Sequence, residues 1–253
     1  MKKILVPTLI ALAIGSLASV AQAQTAPAAA PAAAPESTLA YNVGVISDYR
    51  YRGISQTRLQ PALQGGIDYT DKSGFYVGTW ASTIQWIKDA HGGANVELDI
   101  YGGYKGTAGD VAYDVGFLRY EYPSNNLKPN ANTNEVYGAV TVGIVTAKYS
   151  HAVSNLFGFT DSKNSGYLDL SAAVDMGDGY SLTPHIGRQN VSGKGNGIYS
   201  YTDYALTLGK DLGNGLSASA AIIGTDAKSG SYVSPANKDL GKSGLVVGLK
   251  YTF

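Results

Sequence analysis

Three histidines, His91, His151 and His185, are the side chains that could serve as a base near neutral pH. Ser150 adjoins His151, but neighbours on a strand point to opposite faces, so the two cannot readily form a nucleophile–base pair. His185 falls mid-strand beside Thr183 and Gly187, and His91 lies in a glycine-rich loop. Cysteine is absent, which excludes thiol catalysis and thiolate metal sites. Asp175, Asp178 and Asp226 lie near turns and lack the spacing of a calcium loop. The glycine-rich run 193–197 has no strand-to-helix context for phosphate binding. These residue types point away from catalysis and need no cofactor; a hydrolase assembled from distant residues is the enzymatic alternative.

What remains is charge arranged by alternation. Asp48, Arg50, Asp68, Glu97, Asp99, Asp114, Asp169, Asp175 and Lys250 share the polar parity of their segments, seven acids against two bases. If that parity faces an enclosed lumen, these residues line it and give it a mild cation preference. The alternative is that they pair across the interior and fill it. Gly66, Gly103, Gly116 and Ala173 on the same parity read as room for a passage. Arg50, Arg52 and Arg58 cluster with Tyr49 and Tyr51. That cluster suits either an anion contact at an outer rim or salt bridges to Asp48 and Asp68.

The elements that must hold these residues are strands. Leu245, Val247, Leu249, Tyr251 and Phe253 alternate with Gly244, Val246, Gly248, Lys250 and Thr252. The same period of two recurs around Leu63–Thr70, Val96–Lys105 and Leu168–Met176, the signal of a half-buried strand. Turn residues divide the chain into about twelve segments: 40–50, 62–71, 75–86, 95–105, 110–121, 134–143, 146–154, 166–176, 179–190, 200–211, 215–226 and 243–253. Short connections at 71–74, 106–109, 177–179 and 213–215 alternate with long ones at 51–61, 87–94, 122–133, 155–165, 191–199 and 227–242. Transmembrane barrels sort their loops this way; sandwiches do not. The expected fold is all-β, an antiparallel up-and-down transmembrane β-barrel of about twelve strands. Tyr41, Tyr69, Phe75, Tyr76, Tyr104, Tyr113, Tyr180, Tyr251 and Phe253 fall near short-turn ends. Trp86, Tyr120, Tyr122, Tyr137, Tyr167, Tyr199 and Tyr201 fall near long-loop ends, so two aromatic girdles are expected.

Composition fits: 32 glycines disfavour helices, and 19 tyrosines favour strands. Lys2 and Lys3, an apolar stretch to Val20 and Ala21-Gln22-Ala23 read as a secretory signal peptide over 1–23 rather than a membrane anchor. Residues 24–39, rich in Ala and Pro, read as a periplasmic linker, and 40–253 as the barrel. Without Lys2 and Lys3 the balance of 19 basic and 19 acidic residues becomes 17 against 19, a net charge of −2. That gives no basic excess for nucleic acid.

The runs S-D-Y-R-Y-R-G-I-S-Q-T (47–57), P-A-L-Q-G-G-I-D-Y (61–69) and G-F-Y-V-G-T-W-A-S (74–82) are similar to the opening of the TorF-like porin family of proteobacteria. The resemblance implies a porin-like channel of the Gram-negative outer membrane, passing small polar solutes or ions by diffusion. A structural or adhesion barrel with a plugged lumen is the alternative. Expected partners are outer-membrane lipid, lipopolysaccharide and the barrel-assembly machinery. Val247, Leu249, Tyr251 and Phe253 would form the terminal signal that machinery reads. The oligomeric state stays open.

Overall fold

The computed structural model describes residues 37–253; the expected leader, and the Ala/Pro run up to residue 36, lie outside them. Strands β1 (Thr38–Ile46), β2 (Arg50–Tyr51), β3 (Ile54–Ser55), β4 (Ala62–Thr70), β5 (Phe75–Thr83), β6 (Val96–Ala108), β7 (Val111–Glu121) and β8 (Thr133–Val142) come first. Then follow β9 (Val145–Ala152), β10 (Gly166–Ala172), β11 (Val174–Gly177), β12 (Tyr180–Asn190), β13 (Tyr201–Gly213), β14 (Leu216–Thr225) and β15 (Gly244–Thr252). A short helix α1 (Trp86–Asp89) and a 3-10 turn (Asn196–Tyr199) sit in long connections.

Every ladder is antiparallel and, the seam apart, joins neighbouring staves; β1 pairs with both β4 and β15, so the sheet closes on itself. β10 and β11 keep one register along β12, with Ser171 opposite His185 and Val174 opposite Leu182. Counting them once reduces the 13 strands of the sheet to 12 staves. Tyr41 and Phe253 exchange both backbone hydrogen bonds at the seam, at 2.9 and 3.0 Å. Closure leaves no edge of unpaired N–H and C=O groups, each of which would cost several kcal/mol in hydrocarbon, on the order of 4–8 by transfer to cyclohexane.

The period of two sorts the side chains. Val43, Leu63, Val77, Ile100, Phe117, Val140, Leu168, Ile186, Leu206, Ile222 and Leu245 all point outward and are exposed. In water this continuous apolar belt would aggregate; its natural surroundings are acyl chains. Among the described residues no helix is long and apolar enough to cross a membrane, so any crossing is by strands.

Tight turns lie at one end. Asp178–Gly179 and Asn214–Gly215 have φ of 51°, 75°, 53° and 82°, the two left-handed residues that a type I′ hairpin requires. The expected turn at 106–109 is shorter than read, because β6 continues to Ala108 opposite Val111. The β4–β5 turn is organised by Asp71, whose carboxylate accepts bonds from the Ser73 hydroxyl, the Ser73 N–H (2.9 Å) and the Ser37 hydroxyl (3.1 Å). Those donors pull its pKa down to about 2, with Lys72 adding a smaller pull. A depressed carboxylate pKa means its contribution is present above the ordinary carboxylate range and is lost as pH falls through about 2. Ser73→Ala should move the Asp71 titration, followed by its side-chain carbon shift, back toward the ordinary value; an unmoved curve would contradict this assignment.

The aromatic residues divide by parity as well as by height. Near the short turns Tyr41, Tyr251 and Phe253 stack on the outer face, and Phe75, Tyr104 and Tyr113 form a second outward group. Tyr76 departs from the expected girdle and turns inward to Asp114 (2.6 Å). At the other end the expected girdle is not external. Tyr120, Tyr122, Tyr137, Tyr167 and Tyr201 are buried inside the barrel. They share parity with the inward carboxylates, which height along the strand alone does not reveal.

The inward glycines take part in the same packing. A Cβ on Gly116 would lie 2.5 Å from the Tyr137 hydroxyl, and one on Gly103 2.6 Å from that of Tyr76. Gly66 faces Asn42 and Trp80, at 3.1 and 3.2 Å from the same hypothetical atom. These glycines are slots for rings rather than open space, a correction to the sequence reading. Gly187 is such a slot, where a Cβ would lie 2.5 Å from Tyr167 Cζ and 2.8 Å from Asp203 Oδ2. Gly187→Ala should therefore destabilise by about 1–3 kcal/mol through overpacking. A urea midpoint equal to wild type would contradict the slot.

Candidate functional site: a constricted lumen

The first stave stops at Ile46, four residues short of the expected 50, and segment 47–61 turns into the barrel. Its hairpin β2–β3 is tipped by Arg52 (φ 46°) and Gly53 (φ 80°), again the type I′ pattern. Gly53 is pressed against the wall: a Cβ there would lie 2.5 Å from Thr225 Cγ2 and 2.8 Å from Asp203 Cβ. Asp48 and Arg50 therefore reach the interior on the loop rather than on the wall. They pair with each other at 2.7 Å, and Arg50 also donates to the Lys242 carbonyl at 2.7 Å.

The tip is held by a layer of polar and aromatic side chains. Arg52 donates to both Glu135 oxygens (3.0 and 2.8 Å) and to Gln189 (2.6 Å). Its guanidinium lies over the rings of Tyr167 and Tyr51, at 4.2 and 4.7 Å. The Arg52 and Glu135 side chains are only 3 % and 2 % exposed. Tyr49 donates to Glu97, which also accepts from Tyr122 at 2.7 Å. Tyr51 and Tyr120 share a bond of 2.8 Å, and Tyr120 donates on to Glu135 at 3.2 Å. Below the tip, His185 bridges Asp169 (Nδ1, 2.9 Å) and Asp203 (Nε2, 2.8 Å), and Tyr167 also donates to Asp203.

Of the residues expected to line the interior, Asp48, Arg50, Glu97, Asp99 and Asp169 are buried in or beside this layer. Asp68 accepts from Tyr101, and Asp114 accepts from Tyr76, nearer the short turns. Lys250 is half-buried there, whereas Asp175 is exposed at the turn and accepts the Gly177 N–H at 2.9 Å. The arginine cluster is divided. Arg52 meets Glu135 and not Asp68, and Arg58 forms an ion pair with Asp89 at the long-loop end. Neither Arg50 nor Arg52 stands on an outer rim. Glu135 and Asp203 were absent from the expected set, although each sits on the inward parity of an alternating segment, N-E-V-Y and Y-T-D-Y.

The layer divides the lumen. On the short-turn side Lys105, Thr141, Thr146, Ser181, Ser217 and Ser219 are only partly buried, the mark of a wetted polar wall. On the long-loop side lies a cavity of about 600 Å³ lined largely by aromatic rings. His185 has both ring nitrogens engaged by carboxylates, which leaves neither to activate a nucleophile. Among the described residues no group of His, Asp and Glu could hold a metal ion.

A family model described as a bacterial protein of unknown function, Gcw_chp, matches residues 29–253. The chain belongs to the Gcw_chp family. No curated protein matches this Gcw_chp chain. Its fold is shared by solved outer-membrane channels. The NanC porin aligns with a TM-score of 0.55 at 9% identity, covering 85% of this chain and 99% of that one. The KdgM porin gives 0.54 at 9% identity, over 86% and 99%. The COG4313 outer membrane channel from Pseudomonas putida F1 gives 0.50 at 10% identity, over 89% and 99%. At such identities the likeness shows the barrel fold of this Gcw_chp protein and nothing finer.

Proposed function

We propose that the protein is a narrow outer-membrane channel for small polar solutes or cations, with segment 47–61 as its constriction. The observation that carries this is the divided lumen: a polar wall open toward the short turns, a vestibule at the loops, and one inserted hairpin between them. On this reading the short turns face the periplasm. The TorF-like run at 47–57 is then the channel's own filter. Val247, Leu249, Tyr251 and Phe253 stand on the outer face, where lipid and assembly machinery would both meet them.

Charge supports a cation preference. Arg50 and Arg52 are cancelled by Asp48 and Glu135. Asp114 faces Lys105 and Lys148, and Asp68 faces Lys250, whereas Glu97 accepts only from tyrosine hydroxyls, which satisfy lone pairs without cancelling charge. One of the similar structures is a KdgM porin in complex with oligogalacturonate, an acidic sugar chain. Glu97 and Asp99, buried together with no cation beside them among the described residues, argue against such cargo.

Single-channel recording of the folded chain in a planar bilayer tests the proposal. Small discrete steps are expected, with a reversal potential in a salt gradient of the sign for cations. Selectivity should weaken on acidification, because protonation neutralises the lumen carboxylates. Anion preference would overturn the charge argument, and silence from folded protein would favour the plugged structural barrel instead.

A further inference from the structure

The constriction leaves the loop-end cavity unexplained, since a simple size filter needs no aromatic chamber above it. Its walls form two ring groups. On one side Trp86 packs edge-on against Tyr122, with ring centres 5.2 Å apart. On the other, Phe159 lies against Tyr199 at 4.5 Å, and Tyr232 meets Tyr199 at 5.9 Å. The volume of about 600 Å³ falls within the range of small-molecule sites, roughly 300–1,000 Å³.

Two observations narrow the occupant. No Lys or Arg lines the cavity, and its one carboxylate, Asp89, is already taken by Arg58, so apart from His91 the wall offers an anion or a cation no charged partner. The polar side chains on the wall, Gln56, His91 and Ser231 among them, are hydrogen-bonding groups set between aromatic rings. A ligand with hydroxyls for these groups and C–H faces for the rings satisfies both, because ring faces carry negative and C–H edges positive partial charge.

We infer that this vestibule is a binding site for a short neutral oligosaccharide, taken up between the Trp86–Tyr122 and Phe159–Tyr199–Tyr232 walls. The site deepens the channel reading, in which it would load the solute above the constriction. Binding can nonetheless be read apart from conduction.

The chain has two tryptophans, Trp80 and Trp86, so Trp80→Phe leaves Trp86 as the sole indole reporter. The folded full-length Trp80→Phe protein in detergent would be titrated with maltotriose and cellotriose, with trigalacturonate and benzyltrimethylammonium as charged probes. The expected result is a saturable change in Trp86 emission with at least one neutral sugar, and binding of the charged probes about tenfold weaker or less, a difference of roughly 1.4 kcal/mol. Phe159→Ala and Tyr199→Ala, both outside the staves, should each weaken sugar binding about tenfold, again roughly 1.4 kcal/mol. No saturable change with either sugar, equal or tighter binding of a charged probe, or indifference to both loop substitutions would overturn the site. Binding without conductance would uphold the site and count against the channel, whereas conductance without binding would do the reverse.

Discussion

Replacing residues 49–56 with an equal length of Gly and Ser should raise the single-channel conductance severalfold. The substitution removes Tyr49, Arg50, Tyr51 and Arg52, and with them the bonds to Glu97, Tyr120, Glu135, Gln189 and the Lys242 carbonyl. A Gly/Ser segment loses conformational entropy on ordering and gains no anchor in return, so it should leave the lumen. The wall would persist, because none of its ladders passes through β2 or β3. A barrel of about twelve strands emptied of its insert lies between the filled eight-strand and the wide sixteen-strand cases. Unchanged conductance in a variant with intact barrel circular dichroism would show that the hairpin is not the constriction.

Arg52→Ala should destabilise the folded protein by about 3–5 kcal/mol, since it strands Glu135 as an uncompensated buried charge. Loss of the guanidinium stack over Tyr167 and Tyr51 adds to this, by about 0.5–2 kcal/mol. Arg52→Lys keeps the charge but not the fork that spans Glu135 and Gln189, so it should recover only part of the loss. Replacing both partners, as in Arg52→Met with Glu135→Leu, should cost less than Arg52→Ala alone, because no buried charge is then left unpaired. Urea midpoints at constant slope give the comparison. If Arg52→Ala shifted stability by under about 1 kcal/mol, the pair would be behaving like an exposed ion pair and not a latch.

The strand ladder was legible in the sequence because its rule is local. Alternation, turn residues and sorted loop lengths place all twelve staves, most within two residues of their observed ends. The closed antiparallel barrel follows from them. The interior was only half legible. Parity identified Glu97, Asp99, Asp169 and Asp114 as inward, yet partner choice depends on contacts across the lumen. Arg52 and Glu135 are 83 residues apart, and no local pattern joins them. The Tyr-rich long-loop ends misled for a related reason. A tyrosine near an interface suits a girdle in any barrel, and only the shared parity of Tyr120 with Gly116, or Tyr167 with Asp169, turns it inward. Segment 47–61 was missed because an inserted loop and an exposed one have similar composition. The R-G pair at 52–53 was the available clue, as the tip of a type I′ hairpin.

The seam between Tyr41 and Phe253 sets the order of events in making the barrel. The first and last staves must find each other across more than two hundred residues of chain, while every other ladder joins neighbours. Closing so long a loop carries an entropic cost that grows with the logarithm of its length, and pairings this distant in sequence fold slowly. Until they meet, β1 and β15 are two open templates, each able to recruit a foreign strand. A polypeptide lacking β15 would leave β1 and β14 bare indefinitely, so the molecule is committed to completion: its last residues decide whether the preceding eleven staves become a barrel or an aggregate.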